Sequence, residues 1–239
     1  MAESAYLARP AIRDSGTPEV PRHSVLVRVT HWMTALTFFS LLVSGVAILL
    51  AHPRLYWGET GSVGTPSLLD LPLPFVLVGQ SGWGRYLHFL AAWISVITGL
   101  LYAAASVRNR HFRDDLLPAP ADLAWRSLRA TISRHVRFQR PGPEEALAYN
   151  VVQRAAYLVV VFILSPLMIW TGLAMSPALT SVFPGLVTAF GGQQSARTIH
   201  FFVAALLVLF VLVHLAMVVR AGFLSRVGAM IGGGRKERA

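Results

Sequence analysis

Four stretches of this sequence carry no Asp, Glu, Lys or Arg, and they constrain the fold more than any motif does. Twenty-five such residues separate Arg28 from Arg54, 22 separate Arg85 from Arg108, and 22 separate Arg197 from Arg220. A fourth stretch of 42 residues runs from Arg154 to Arg197, with Ala155–Met175 its continuously apolar part. A helix needs about 20 apolar residues to cross the hydrocarbon core. Lipid offers no partner to a backbone N–H or C=O, so a spanning segment must bond within itself. The chain is therefore expected to be an all-α integral membrane protein, a four-transmembrane-helix bundle with spans at about 31–51, 86–107, 155–175 and 198–219. Pro166 inside the third span is expected to kink it.

Composition agrees. Of 239 residues, 54% are hydrophobic and 13% charged, against about 25% charged in a soluble domain. That balance excludes disorder, a nucleic-acid-binding domain and a small secreted scaffold. The absence of cysteine excludes disulfides, iron–sulfur clusters and thiolate metal sites.

The net charge of +10 is read as topology. Eighteen of the 21 basic residues fall before the first span, between spans two and three, or after the fourth, and only Arg54, Arg85 and Arg197 fall on the other side. Basic residues stay in the cytoplasm, so both termini are expected there, with lipid as a partner and nucleic acid as none. The chain divides into a cytoplasmic N-terminal segment (1–27), a transmembrane unit (28–222) and a basic cytoplasmic tail (223–239). No short apolar core with a small-residue cleavage site opens the sequence, so the first span is expected to serve as an uncleaved anchor. Leu68–Val78 and Val182–Phe190 are too short and broken to span and are expected at the outer interface. Trp125, Leu128, Ile132 and Val136 recur at helical spacing among arginines, the pattern of a basic amphipathic helix on the inner leaflet.

An ionisable residue inside a span is costly and marks a functional site by default. Four of the eight histidines qualify: His31, His88, His200 and His214. The others, His23, His52, His111 and His135, fall in loops or just past a span end, where a solvated ring is the ordinary outcome. His200 and His214 are 14 residues apart on one span, which is about 40° short of four full turns and about 21 Å of rise. They share a face, in two layers. With both termini inside, His31 lies level with His214 near the inner surface, and His88 lies level with His200 near the outer one. Two imidazoles opposed across a bundle, with no carboxylate nearby, suit bis-histidine iron in b-type haem, one haem per layer. A catalytic zinc usually gathers three ligands, and a proton relay would normally include an intramembrane carboxylate.

Arginine precedes three of these histidines by three residues, at Arg28, Arg85 and Arg197. Each is one turn nearer the water on the same face, where it can meet a haem propionate or be an ordinary interfacial cation. Gly45 and Gly99 return to the faces of His31 and His88 at the depth of the opposite layer. There they allow a flat macrocycle close approach or serve ordinary helix contacts.

The stretches Val29-Thr30-His31-Trp32, Tyr56-Trp57-Gly58-Glu59-Thr60-Gly61 and Trp83-Gly84-Arg85-Tyr86-Leu87-His88, with the 14-residue histidine pair, give the chain a family resemblance. From about Arg28 to Arg220 it resembles the bacterial four-helix di-haem cytochrome b family. That family includes cytochrome b561-like proteins and the b-type subunits of nickel–iron hydrogenase, formate dehydrogenase and thiosulfate reductase. The resemblance implies a multi-pass inner-membrane subunit of an oxidoreductase complex, rather than a stand-alone catalyst. Such a subunit exchanges electrons between the quinone pool and a periplasmic redox partner. It also implies a quinone pocket beside the inner haem, with Asn150, Gln153 and Met217 as candidates. Asn150 serves equally as a helix cap. Thr171-Gly172-Leu173-Ala174-Met175-Ser176-Pro177 and Gly191-Gly192-Gln193-Gln194-Ser195-Ala196-Arg197 are similar to a branch that works with molybdopterin oxidoreductases. The long basic cytoplasmic loop departs from the hydrogenase-type arrangement. Two other functions share the layout: a haem b enzyme oxidising superoxide and reducing quinone, and a transporter using the histidines. A Soret band separates the transporter from both haem proteins.

Overall fold

The computed structural model describes residues 24–61, 64–73, 81–108 and 151–233, without the side chains of Ser81 and residues 151–154. The amphipathic segment expected at 125–137 lies outside the described residues, as do His23, His111, His135 and Asn150. Helix α1 (Val25–Ala51) leads through a short antiparallel pair, β1 (Arg54–Leu55) and β2 (Leu69–Asp70), to α2 (Ser81–Arg108). The third crossing is composite: α3 (Val151–Val159), a π-helical turn (Val160–Leu164) and α4 (Ser165–Ala174). Two short helices, α5 (Pro177–Thr180) and α6 (Gly185–Thr188), precede α7 (Gln193–Arg220), and α8 (Phe223–Gly232) follows it. Four crossings are long and apolar enough to span a membrane: Val25–Ala51, Gly82–Arg108, Ala155–Ala174 and Gln193–Arg220.

Each difference from the sequence expectation has a local cause. α1 starts six residues before the expected 31 because the Ser24 hydroxyl caps it, accepting from the Val27 N–H at 3.3 Å. Arg28, Arg85 and Arg197 lie within helices rather than before them, since a long side chain can carry its charge towards water from a helical position. Pro166 has no N–H to donate, and its ring crowds the carbonyl one turn back. The chain accommodates it with the π turn, where the Ser165 hydroxyl donates to the Val160 carbonyl at 2.7 Å. The segment expected as a basic tail opens with helix α8, entered through a left-handed turn at Gly222 (φ +96°).

Burial is inverted relative to a soluble bundle. Leu36, Leu100 and Leu212 are at least 60% exposed, while Ser44, Thr171 and Ser195 are fully buried. Lipid solvates the leucines, so helices gain little by hiding them and pack through small and hydroxyl-bearing residues instead. The hydroxyls satisfy themselves on carbonyls of their own helix: Thr37 donates to Met33 at 2.9 Å and Ser44 to Ser40 at 2.7 Å.

Two contacts hold the ends of the bundle. The loop after α1 folds over the start of α7, whose first N–H groups have no partner within the helix. The Gly58 carbonyl accepts from the Gln194 and Ser195 N–H groups at 3.0 and 3.3 Å, and the Ser195 hydroxyl accepts from the Gly58 N–H at 2.8 Å. Thr198 donates to the buried Tyr56 carbonyl at 2.6 Å. At the other end, α8 folds back on α1. Arg28 Nη1 donates to the Ile231 carbonyl at 2.6 Å, and Trp32 Nε1 donates to Met230 at 3.1 Å. A cation there suits the negative end of the α8 dipole.

Candidate functional site

The four intramembrane histidines meet in pairs across the bundle. The His88 and His200 rings lie 6.2 Å apart between centroids, tilted by 59°, at the N-terminal end of α7. The His31 and His214 rings lie 6.5 Å apart, tilted by 52°, towards its C-terminal end. Three different helices therefore supply the rings, with α7 contributing to both layers. An imidazole nitrogen binds a first-row transition metal at about 2.0–2.1 Å, and the ring centre lies about 1.1 Å beyond, so one metal between two opposed rings sets centroids roughly 6.3 Å apart. Both pairs fit that spacing. Among the described residues no three His, Asp or Glu side chains cluster to hold a metal ion alone. The pairs thus suit a metal whose remaining positions come from a macrocycle.

The supports of the two layers differ. The Ser44 and Thr171 hydroxyls each lie 2.9 Å from Nδ1 of His88 and His200, respectively. A Cβ at Gly45 would sit 3.6 Å from His88 Cε1, and one at Gly172 would sit 3.7 Å from His200 Cε1. In the other layer, aromatic rings do the holding. Phe210 stacks on His214 at 6.1 Å and 19°, Tyr157 meets Phe210 edge-on at 5.8 Å, and Trp32 meets His31 edge-on at 5.4 Å.

Of the other residues singled out by sequence, Gly45 sits beside His88, whereas among the described residues a Cβ at Gly99 would meet no heavy atom within 4 Å. Arg28 spends one nitrogen on α8, and among the described residues its buried Nε has no hydrogen-bond partner. That orphaned donor, one turn before His31, fits an anionic group such as a propionate at this layer. Arg197 donates to the His52 carbonyl at the end of α1, and Arg85 is exposed. His52 lies outside the spans. Its pKa is depressed by burial, then by the positive charges of Arg197 and Arg85, so this ring resists protonation. Met217 is half-buried just beyond His214. Gln153 lies in the first turn of α3, four residues before Tyr157 and so on the same helix face.

Sequence reasoning did not single out Ser44, and it quoted Thr171 and Gly172 only in a stretch similar to a family branch, without linking them to a histidine. A hydroxyl residue directly precedes glycine at 44–45 and 171–172, but also at 15–16, 60–61, 81–82 and 98–99, so the dipeptide alone does not single these two out.

Comparison with known proteins gives concordant matches. The family model described as prokaryotic cytochrome b561 matches residues 22–233. A putative protein-methionine-sulfoxide reductase subunit YedZ1 of Azospira oryzae is 29% identical over 82% of this chain and 89% of its own length. A probable Ni/Fe-hydrogenase B-type cytochrome subunit of Cupriavidus necator is 26% identical over 98% of this chain and 91% of its own. The corresponding subunit of Azotobacter vinelandii is 27% identical over 87% and 85%.

Proposed function

The chain belongs to the prokaryotic cytochrome b561 family, and from that membership we propose how this membrane b-type electron-transfer subunit of the bacterial inner membrane works. Two b-type haems are bound per chain, one between His31 and His214 and the other between His88 and His200. The observation that carries this reading is the spacing of the two ring pairs, 6.5 and 6.2 Å. When bound, haem supplies reversible one-electron chemistry at its iron. The chain ligates, orients and insulates. His200 and His214 stand about 21 Å apart along α7, against about 30 Å of hydrocarbon, so the two layers bridge most of the membrane.

The termini face the cytoplasm on this reading, which puts the His31–His214 layer inside and the His88–His200 layer outside. Residues 28–222 form the electron-carrying unit, flanked by cytoplasmic segments 1–27 and 223–239. Arg28, Arg85 and Arg197 balance haem propionates, and Gly45 and Gly99 leave room for the macrocycle edge. The relatives named as hydrogenase and methionine-sulfoxide reductase subunits support a redox partner subunit for this chain. The partner docks on the outer loops, and a molybdopterin oxidoreductase is the candidate that the sequence pattern favours.

Quinone exchanges electrons at the inner layer. A quinone head presents two carbonyl oxygens and needs donors in an apolar pocket. The amides of Asn150 and Gln153 supply donors, and Met217 supplies a polarizable wall. The ring contacts from Tyr157 through Phe210 to His214 support this placement, because they bring the start of the third crossing to the inner histidines.

In membrane vesicles, Asn150→Leu and Gln153→Leu are each expected to slow haem reduction by quinol about tenfold, the equivalent of one hydrogen bond of about 1.4 kcal/mol. Haem content stays unchanged. Stopped-flow absorbance measures the rate, and unchanged rates in both variants would move the quinone site elsewhere.

A further inference from the structure

Ser44 on α1 and Thr171 on α4 are fully buried and stand in the same relation to the two histidines of one layer. A hydroxyl has one proton. Ser44 donates its proton to the Ser40 carbonyl at 2.7 Å, and Thr171 donates to Leu167 at 2.8 Å, each four residues back on its own helix. The 2.9 Å contacts to His88 Nδ1 and His200 Nδ1 therefore have the imidazole as donor and the hydroxyl oxygen as acceptor, beside the Leu41 and Met168 carbonyls, which also accept from these rings. That arrangement fixes the proton on Nδ1 and leaves the lone pair on Nε2 in both rings.

The residue after each hydroxyl is glycine, and each glycine lies alongside Cε1 of the histidine its neighbour binds. The same two-residue unit is thus used twice, on helices unconnected in sequence, against the two rings that face each other. Backbone bonding by a buried hydroxyl does not by itself mark such a unit. Thr30 and Thr37 bond to carbonyls of their own helix in the same way, with no histidine at their oxygens among the described residues.

We propose that Ser44 and Thr171 are matched positioning residues. They set the tautomer, ring orientation and basicity of His88 and His200, and so tune the potential of the outer site. The inference rests on the reading of those histidines as iron ligands. An Nδ1–H that donates a hydrogen bond leaves more electron density on Nε2, and a more basic ligand favours the ferric over the ferrous state. Removing either hydroxyl leaves the ring N–H only its helix carbonyl, at Leu41 or Met168, and should raise the potential of the outer haem alone. The inner layer uses a stacked Phe210 ring at His214, so it should not follow.

The test uses the full chain with haem bound and compares Ser44→Ala, Thr171→Val and the double variant with the conservative Ser44→Thr and Thr171→Ser. Redox titration and electron paramagnetic resonance of the ferric state read each haem separately. In the unaltered protein, two bis-imidazole low-spin signals, one of them lost in His88→Ala, establish the underlying ligation. Their absence overturns that reading and this inference together, before any hydroxyl variant is compared. Given them, the ferric-to-ferrous ratio of the outer haem at fixed ambient potential should fall about three- to tenfold in each hydroxyl-less variant, tenfold being about 59 mV for one electron. Its low-spin signal should shift, the inner haem should stay unchanged, and the conservative variants should restore both. Loss of the outer haem in Ser44→Ala with retention in Ser44→Thr also supports the role. Loss in both, or a double variant with two haems and unaltered potentials and spectra, overturns it.

Discussion

Replacing His88 by alanine is expected to remove one haem and leave the other in place, halving the haem bound per chain. Among the described histidines His88 faces His200, at 6.2 Å, while His31 faces His214 in a separate layer. A histidine that holds a haem iron would do so by a bond rather than a packing contact, so its loss would be close to all-or-none for its own site. The surviving pair would keep both imidazoles and its aromatic supports, Phe210 and Trp32. His31→Ala should do the reverse. His200→Ala and His214→Ala should separate the layers in the same way, although both residues lie on α7. Haem quantified against protein, with redox titration to identify the survivor, checks the pairing. Two haems in either His88→Ala or His31→Ala would break it.

The second large effect is expected far from any histidine. Gly192 has φ +131°, and a Cβ there would fall 2.3 Å from the Gly58 carbonyl carbon and oxygen and 2.6 Å from the Glu59 nitrogen. Those neighbours are backbone, so no side chain can turn aside. Gly192→Ala must displace the loop that supplies the Gly58 carbonyl to the first N–H groups of α7. Both His200 and His214 ride on that helix, so the two layers should suffer together. The combined strain and lost caps place the cost above about 3 kcal/mol, a large share of the roughly 5–15 kcal/mol that stabilises an ordinary fold, so the yield of folded protein should fall sharply. Gly64→Ala is the control: φ is +93°, yet among the described residues nothing lies within 4 Å of the added carbon. Its cost should be the backbone term alone, about 1–2 kcal/mol. Expression yield and thermal melting in detergent measure both, and equal behaviour of the two variants would contradict the clash.

The features legible in the sequence follow from constraints that act along one helix. The bilayer demands a minimum apolar length, so the charge-free intervals marked all four crossings. The 14-residue spacing of His200 and His214 fixed a shared face and two depths, and depth alone matched each with His31 or His88 once the helices were taken to alternate in direction. Contacts between helices were less accessible. The spacing of Arg28 aims it along the face of His31 but does not reveal that one of its nitrogens bonds Ile231, 203 residues away. Nothing along the sequence ties Ser44 or Thr171 to a histidine until the neighbouring helix brings one to 2.9 Å. The Tyr56–Gly61 stretch was readable as a family signature, while its physical work, capping α7, depends on folding. Pro166 signalled a break but not its form, because a kink and a π turn both answer a missing N–H.

The most direct test of the central claim is the haem stoichiometry of the purified chain, produced with ample haem. It is measured by a reduced-minus-oxidised spectrum alongside haem extraction and protein determination. Opposed histidine pairs in two layers predict two b-type haems per chain, both low-spin in the ferric state. A single haem per chain, a high-spin ferric spectrum, or a colourless protein would contradict it.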